Sequence, residues 1–107
     1  MTLPSPIQAY FDADARSDGD ALIRSFASDA VVEDEGRTHV GREAIAAWWR
    51  ETKEKYQAVI EPLEISDADD VMKVSARVSG QFPGSPATIN FAFRLNGERI
   101  TKLEITA

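Results

Sequence analysis

The sequence predicts one α+β domain: three helices packed on a strongly curved, mostly antiparallel sheet, in the order ααβαββββ. Three observations predict it. Apolar residues recur at helical spacing in the N-terminal half, as at Ile7, Tyr10 and Phe11. From Gln57 onward the period falls to two, as at Met72, Val74, Ala76 and Val78. The strands of that second half are joined by short turns, which suit antiparallel neighbours and are too short for parallel crossovers. A chain of 107 residues has the size of a single domain, here 1–107, with one modest core.

The elements follow in order. Ser5 is a capping residue type, and Pro6 suits the first helical position, where its missing N–H costs nothing. Ile7, Tyr10, Phe11 and Asp14 then share one helical face, and Asp18 and Gly19 end the helix. A short second helix carries Leu22, Ile23 and Phe26 as its stripe and stops at Asp29. "AVVED" at 30–34 is the first strand, closed by a turn at Glu35 and Gly36, and "GRTHVG" is a loop. The third helix starts near Gly41 and turns Ile45, Trp48, Trp49 and Thr52 inward. Glu51 and Lys55 stand one turn apart on its wet side.

"QAVIEPLEIS" is the next strand, and Pro62 puts it at an edge or a bulge. "DADD" is a turn, and "VMKVSARVSG" alternates cleanly. "FPGSP" is a loop before "ATINFAFRL", where Ile89, Phe91, Phe93 and Leu95 share a face. Asn96-Gly97 is a hairpin signal, and "ERITKLEIT" is the last strand. Such a sheet wrapped by helices leaves a hollow that binds small molecules.

Composition narrows the function. A net charge of -6 and a pI near 4.7 argue against nucleic-acid partners and anionic membrane surfaces. The chain has no cysteine, which removes disulfides, thiolate catalysis and cysteine-type zinc sites. His39 stands alone as the chain's histidine, an exposed loop residue by default, so no metal is expected. "MTLPSPIQAYF" has no basic region and no apolar stretch of signal-peptide type. "AIAAWW" is too short to span a bilayer. A cytoplasmic location fits these features.

"AYFDADARSDGDALIRSFASDAVVEDEG", followed by "GREAIAAWW", resembles the nuclear transport factor 2-like superfamily, within it the SnoaL-like polyketide cyclases and ketosteroid isomerases. The likeness covers essentially the whole chain and implies the cone-shaped, cystatin-like fold around an apolar pocket, often in a homodimer. It says little of function, because this superfamily hosts isomerases, cyclases, dehydratases, epoxide hydrolases and non-catalytic domains. Carried over residue by residue, Tyr10 falls on the oxyanion-hole tyrosine, Asp34 on the general base, and Trp49 on a supporting tyrosine. The second oxyanion donor, a protonated aspartate in ketosteroid isomerase, falls on Phe91, which has no proton to give.

Each candidate has a plain alternative. If Val32 faces the hollow, so does Asp34, two residues on, and an apolar setting makes its carboxyl a usable base. Otherwise Asp34 is a hydrated rim residue paired with Arg37 or Arg42. Tyr10 is an enolate-steadying donor or a core tyrosine. Asp14 interrupts an apolar face close to a helix C-terminus, where a negative charge is disfavoured; it joins Asp34 inside or turns outward while Ala15 turns in.

Phe11, Val32, Trp49 and Phe91 complete the expected pocket wall, and Glu33 and Glu35 read as solvated charge. Proton transfer needs no cofactor, so none is expected. The expected partners are an apolar small molecule and a second copy of the chain. That copy would pack on the open sheet face, where Ile100 and Val59 need shelter. The competing function is a non-catalytic ligand-binding or dimerisation module.

Overall fold

The computed structural model describes residues 2–107. The elements are α1 (Ser5–Ala15), α2 (Gly19–Arg24), β1 (Phe26–Asp34), β2 (Arg37–Val40), α3 (Arg42–Tyr56), β3 (Val59–Ala68), β4 (Val71–Ser79), β5 (Ala87–Asn96) and β6 (Arg99–Thr106). The strands form one sheet in the order β2-β1-β6-β5-β4-β3. Every neighbouring pair is antiparallel except β1 and β6, which run parallel. No described helix is long and apolar enough to cross a membrane.

The core brings Ile7, Leu22 and Ile45 of the helices together with Phe26, Val74 and Phe93 of the sheet, all fully buried. Its centre is aromatic. Tyr10 meets Phe11, Phe26 and Phe93 edge to face, with ring centroids 5.2, 5.9 and 5.7 Å apart. Edge-to-face contact places the positive rim of one ring on the negative face of another and fixes ring orientation as well as burying area. Tyr10 is thereby locked in one orientation.

Helix α1 ends in a Schellman turn. Asp18 N–H donates to Ala13 O at 2.9 Å, Ser17 N–H donates to Asp14 O at 3.0 Å, and Ser17 takes φ +54°. The Asp18 side chain then accepts from Ala21 N–H at 3.1 Å and starts α2. Helix α2 stops at Arg24, earlier than its apolar stripe suggests. Phe26 belongs to β1, where it sits opposite Ile100 of β6 in the core. The Arg42 guanidinium donates twice to Phe26 O, at 3.0 and 2.7 Å, and ties the start of α3 to β1.

Residues 37–40 form an additional strand instead of a loop. Glu35 and Gly36 take φ +53° and +75°, the double left-handed signature of a tight hairpin, and bring β2 back against β1. His39 therefore lies on a strand and is half-buried. Pro62 lies on the edge strand β3, and the β3–β4 register slips between Pro62 and Glu64. The β5–β6 turn is Gly97-Glu98, one residue later than the Asn96-Gly97 signal, with Gly97 at φ +61°.

Ile100 is not on the open sheet face. The β5–β6 register slips between Arg94 and Leu95, leaving Thr101 as an extra residue on β6. One inserted residue inverts the alternation, so Ile100 and Leu103 are both fully buried. Val59 is exposed as expected, along with Val40 and Leu63, and these are the exposed large hydrophobics among the described residues.

The link from β4 to β5 is pressed onto the end of α3. Gln81 N–H donates to Tyr56 O at 2.7 Å, and Gly80 N–H donates to Ser85 Oγ at 2.9 Å. A Cβ at Gly80 would lie 2.6 Å from Tyr56 O and 3.1 Å from Ala58 Cα, both backbone atoms. Gly80→Ala must push the loop off the helix. We expect it to cost about 1–3 kcal/mol in urea denaturation.

Candidate functional site

A cavity of about 220 Å³ opens between α1, α3 and the sheet. Its apolar wall comes from Ile60, Val78, Phe82, Ile89, Phe91 and Ile105. Ile89 and Phe91 reach it because alternate residues of β5 share a face. Tyr10, Asp14 and Asp34 line the same cavity, as do Trp48, Trp49 and Lys53 from one face of α3.

Asp34 ends β1 and is half-buried. Its Oδ2 accepts from Trp48 Nε1–H at 3.0 Å. Neither arginine weighed as a partner holds it: Arg37 stands opposite across the β1–β2 pair without an ion pair, and Arg42 is spent on Phe26 O. Burial pushes the Asp34 carboxyl up from its ordinary range, and the Glu35 charge adds to this. The Trp48 hydrogen bond, the nearby His39 and a backbone hydrogen bond from Glu35 pull the other way, but the net shift is upward.

Tyr10 is 2% exposed. Its hydroxyl makes no hydrogen bond among the described residues, yet no sealed side-chain nitrogen or oxygen there lacks a partner. The hydroxyl therefore opens onto the cavity that Tyr10 lines. Burial, then the charges of Asp14 and Asp34, push its ionisation well above the ordinary phenol range. Tyr10 stays a neutral phenol, a hydrogen-bond donor rather than a base.

Asp14 turns inward and is 5% exposed, while Ala15 is the residue that faces solvent. Its Oδ1 accepts from Trp49 Nε1–H at 2.8 Å, and its Oδ2 lies 3.2 Å from Lys53 Nζ. Lys53 also donates to Ala58 O at 2.9 Å. The buried acid thus has a buried indole donor and a cation, the compensation that a carboxylate at this helix end requires.

The two tryptophans are adjacent in sequence yet face the same side. A helical step of about 100° still leaves both within one wide inward stripe. Both line the cavity, and each donates its indole N–H to a different acid.

Two expected wall residues lie elsewhere. Phe11 is turned past the cavity into the core, where it packs edge-on against Phe91 and Phe93 at 5.4 and 5.8 Å. Val32 is fully buried beneath the helices and stops short of the cavity that Asp34 reaches. Trp48 and Lys53 were not anticipated as site residues, although Trp48 shares the inward stripe of α3. Glu35 was expected to be merely solvated. It is exposed, but it accepts from Tyr56 Oη–H at 2.7 Å and lines the mouth beside Tyr56 and Phe82. Among the described residues no group of three or more His, Asp or Glu side chains could hold a metal ion.

Two stability predictions follow from this geometry. Lys53→Met strands the Asp14 charge. It should cost about 3 kcal/mol in denaturant unfolding, and adding Asp14→Asn should recover part of that loss. For Asp34 the folded state holds its proton at pH values where the unfolded chain has released it. The resulting penalty is absent below the unfolded value, grows as pH rises through the folded one, and is complete above it. Asp34→Asn keeps an acceptor for Trp48 without the charge. It should melt close to wild type at about pH 3 and higher than wild type at about pH 8.

In comparison with solved structures, the chain is 49% identical to a candidate polyketide cyclase from Sinorhizobium meliloti, over 97% of this chain and 95% of that one, with a TM-score of 0.94. It is 26% identical to a Catenulispora acidiphila protein of ketosteroid isomerase-like fold, solved in complex with trimethylamine. That match covers 99% of this chain and 87% of the other, with a TM-score of 0.84. SalBIII, an epoxide hydrolase/cyclase-like enzyme of pyran ring formation in the polyether salinomycin, shares the fold at 20% identity. There the coverage is 94% and 86%, and the TM-score is 0.81. No curated protein matches the chain. The SnoaL-like domain family spans residues 7–103, from the first turn of α1 to β6, and the chain belongs to it.

Proposed function

We propose that the cavity binds a small, largely apolar carbonyl compound and moves one of its protons. The observation that carries this reading is the pairing of a half-buried carboxylate, Asp34, with an unpartnered phenol, Tyr10, on one apolar cavity. Asp34 takes a proton from the carbon next to the carbonyl. The C–H electron pair moves into the carbonyl, and charge develops on its oxygen. The Tyr10 hydroxyl donates to that oxygen, where a fixed donor in a dry site is worth most. Returning the proton from Asp34 to another carbon would be isomerisation. Attack of the enolate carbon on a second carbonyl would be cyclisation, and loss of a β-hydroxyl would be dehydration.

The upward shift of the Asp34 carboxyl supports the role, because a base works best when its strength approaches the operating pH. The 49% identity to a candidate polyketide cyclase supports small-molecule chemistry of this class. A second reading, ligand binding without catalysis, is favoured by Phe91, whose ring offers no proton where a ketosteroid isomerase has its second donor.

The test is solvent deuterium exchange into simple enones and β-diketones, followed by NMR. Wild type should catalyse it. Asp34→Asn should lose about a hundredfold or more of the rate, and Tyr10→Phe about a hundredfold. Equal exchange in wild type and Asp34→Asn would leave ligand binding as the function for these compounds.

A further inference from the structure

We propose that the mouth of this cavity is a receptor for a positively charged amine, so that the carbonyl ligand also carries a protonated or quaternary nitrogen. This rests on the cavity being the binding site proposed above, and it adds the charge class of the ligand. Four ionisable residues of charge-bearing type line the cavity besides the tyrosines: Asp14, Asp34, Glu35 and Lys53. Lys53 is committed to Asp14 at 3.2 Å and to Ala58 O. That leaves Asp34 and Glu35, neighbours in sequence, with no Lys, Arg or His nitrogen within 4.0 Å among the described residues.

Both carboxylates are held in place by aromatic donors rather than by cations. Trp48 Nε1–H holds Asp34 and Tyr56 Oη–H holds Glu35. An ionised carboxylate has about four acceptor positions, so each keeps capacity for a further donor. Phe82, edge-on to Tyr56 at 5.9 Å, adds to the aromatic wall. Tyr56 already carries Lys55 Nζ at 5.0 Å from its ring centroid and Trp48 packs on His39 at 6.0 Å, yet Trp48 and Phe82 both line the cavity and add ring surface for a ligand. Fixed carboxylates among aromatic rings stabilise an ammonium group twice, by charge and by the ring quadrupole. The unpartnered, 2% exposed Tyr10 hydroxyl marks the other end of the ligand as a hydrogen-bond acceptor. An anionic ligand would meet two carboxylates that have no ion-pair partner, in a chain whose net charge is already -6.

The experiment is a fluorescence titration, because both tryptophans of the chain line the cavity and report on occupancy. The probes share a phenyl group and differ in charge: phenyltrimethylammonium, its neutral isostere tert-butylbenzene, and benzenesulfonate. The ammonium should bind about tenfold tighter than the isostere, a margin that added salt reduces, and the sulfonate should bind weakest. Glu35→Gln should lower ammonium affinity about threefold or more while leaving the isostere unchanged. Equal or tighter binding of the isostere or the sulfonate, or no binding of the ammonium at millimolar concentration, overturns the proposal. The two readings fail separately. Enone exchange without ammonium preference sinks only the charge class, and ammonium preference without exchange sinks only the proton transfer.

Discussion

Two adjacent indole N–H groups, each donated to a different carboxylate, hold this site together. Trp48 reaches the end of β1 at Asp34, and Trp49 reaches the last turn of α1 at Asp14. One turn of α3 thus fixes both acids relative to each other and to the Tyr10 hydroxyl. The arrangement needs room on the far side of the Trp49 ring. Gly19 provides it, since a Cβ there would lie only 3.1 Å from the ring edge. The indole has one donor and no acceptor, so it can hold an acid but cannot take its proton. Asp14 also receives the Lys53 charge, and Asp34 receives none. The same device therefore holds one acid that is paired with a cation and one that is not.

Much of the fold was legible from spacing. The α1 face of Ile7, Tyr10, Phe11 and Asp14 is buried as a unit, and the alternations on β4 and β5 hold. Pro62 announced an edge or a bulge, and the structure has both. What failed to show was whatever long-range pairing decides. β2 carries one apolar residue, Val40, so no alternation announced it; it exists because the Glu35-Gly36 turn folds it onto β1. Phe26 looked helical because its spacing from Leu22 and Ile23 fits a helix, but the pairing with Ile100 makes it a strand residue. The bulge at Thr101 reversed Ile100 with no local signal.

The site was half legible for the same reason. Tyr10, Asp14, Asp34, Trp49 and Phe91 do meet around one cavity. The inward face of α1 offered Tyr10 and Asp14 as candidates but left the direction of Asp14 open, and the role expected of Tyr10 came from the family resemblance. The partner of Asp14 was not legible, because Lys53 comes from 39 residues away and sits on a helix whose later turns read as wet. Phe11 shows the limit of face arguments: one step along a helix moved it from cavity to core. A half-buried carboxylate without a cation and an unpartnered phenol do not serve stability, and a small domain has little stability to spare. Their concentration around one hollow is the mark of a surface shaped for something other than holding the chain folded.

The bulged border strand has a consequence for how copies of this chain can meet. β3 lies at the sheet boundary, and Pro62 removes one amide donor from it. The register slip beside it breaks the ladder, and Glu61, Glu64 and Asp67 stud the strand with like charge. A second sheet cannot easily be templated there, so end-to-end growth into ribbons is discouraged. On this border the molecule carries its own guard against strand-by-strand association.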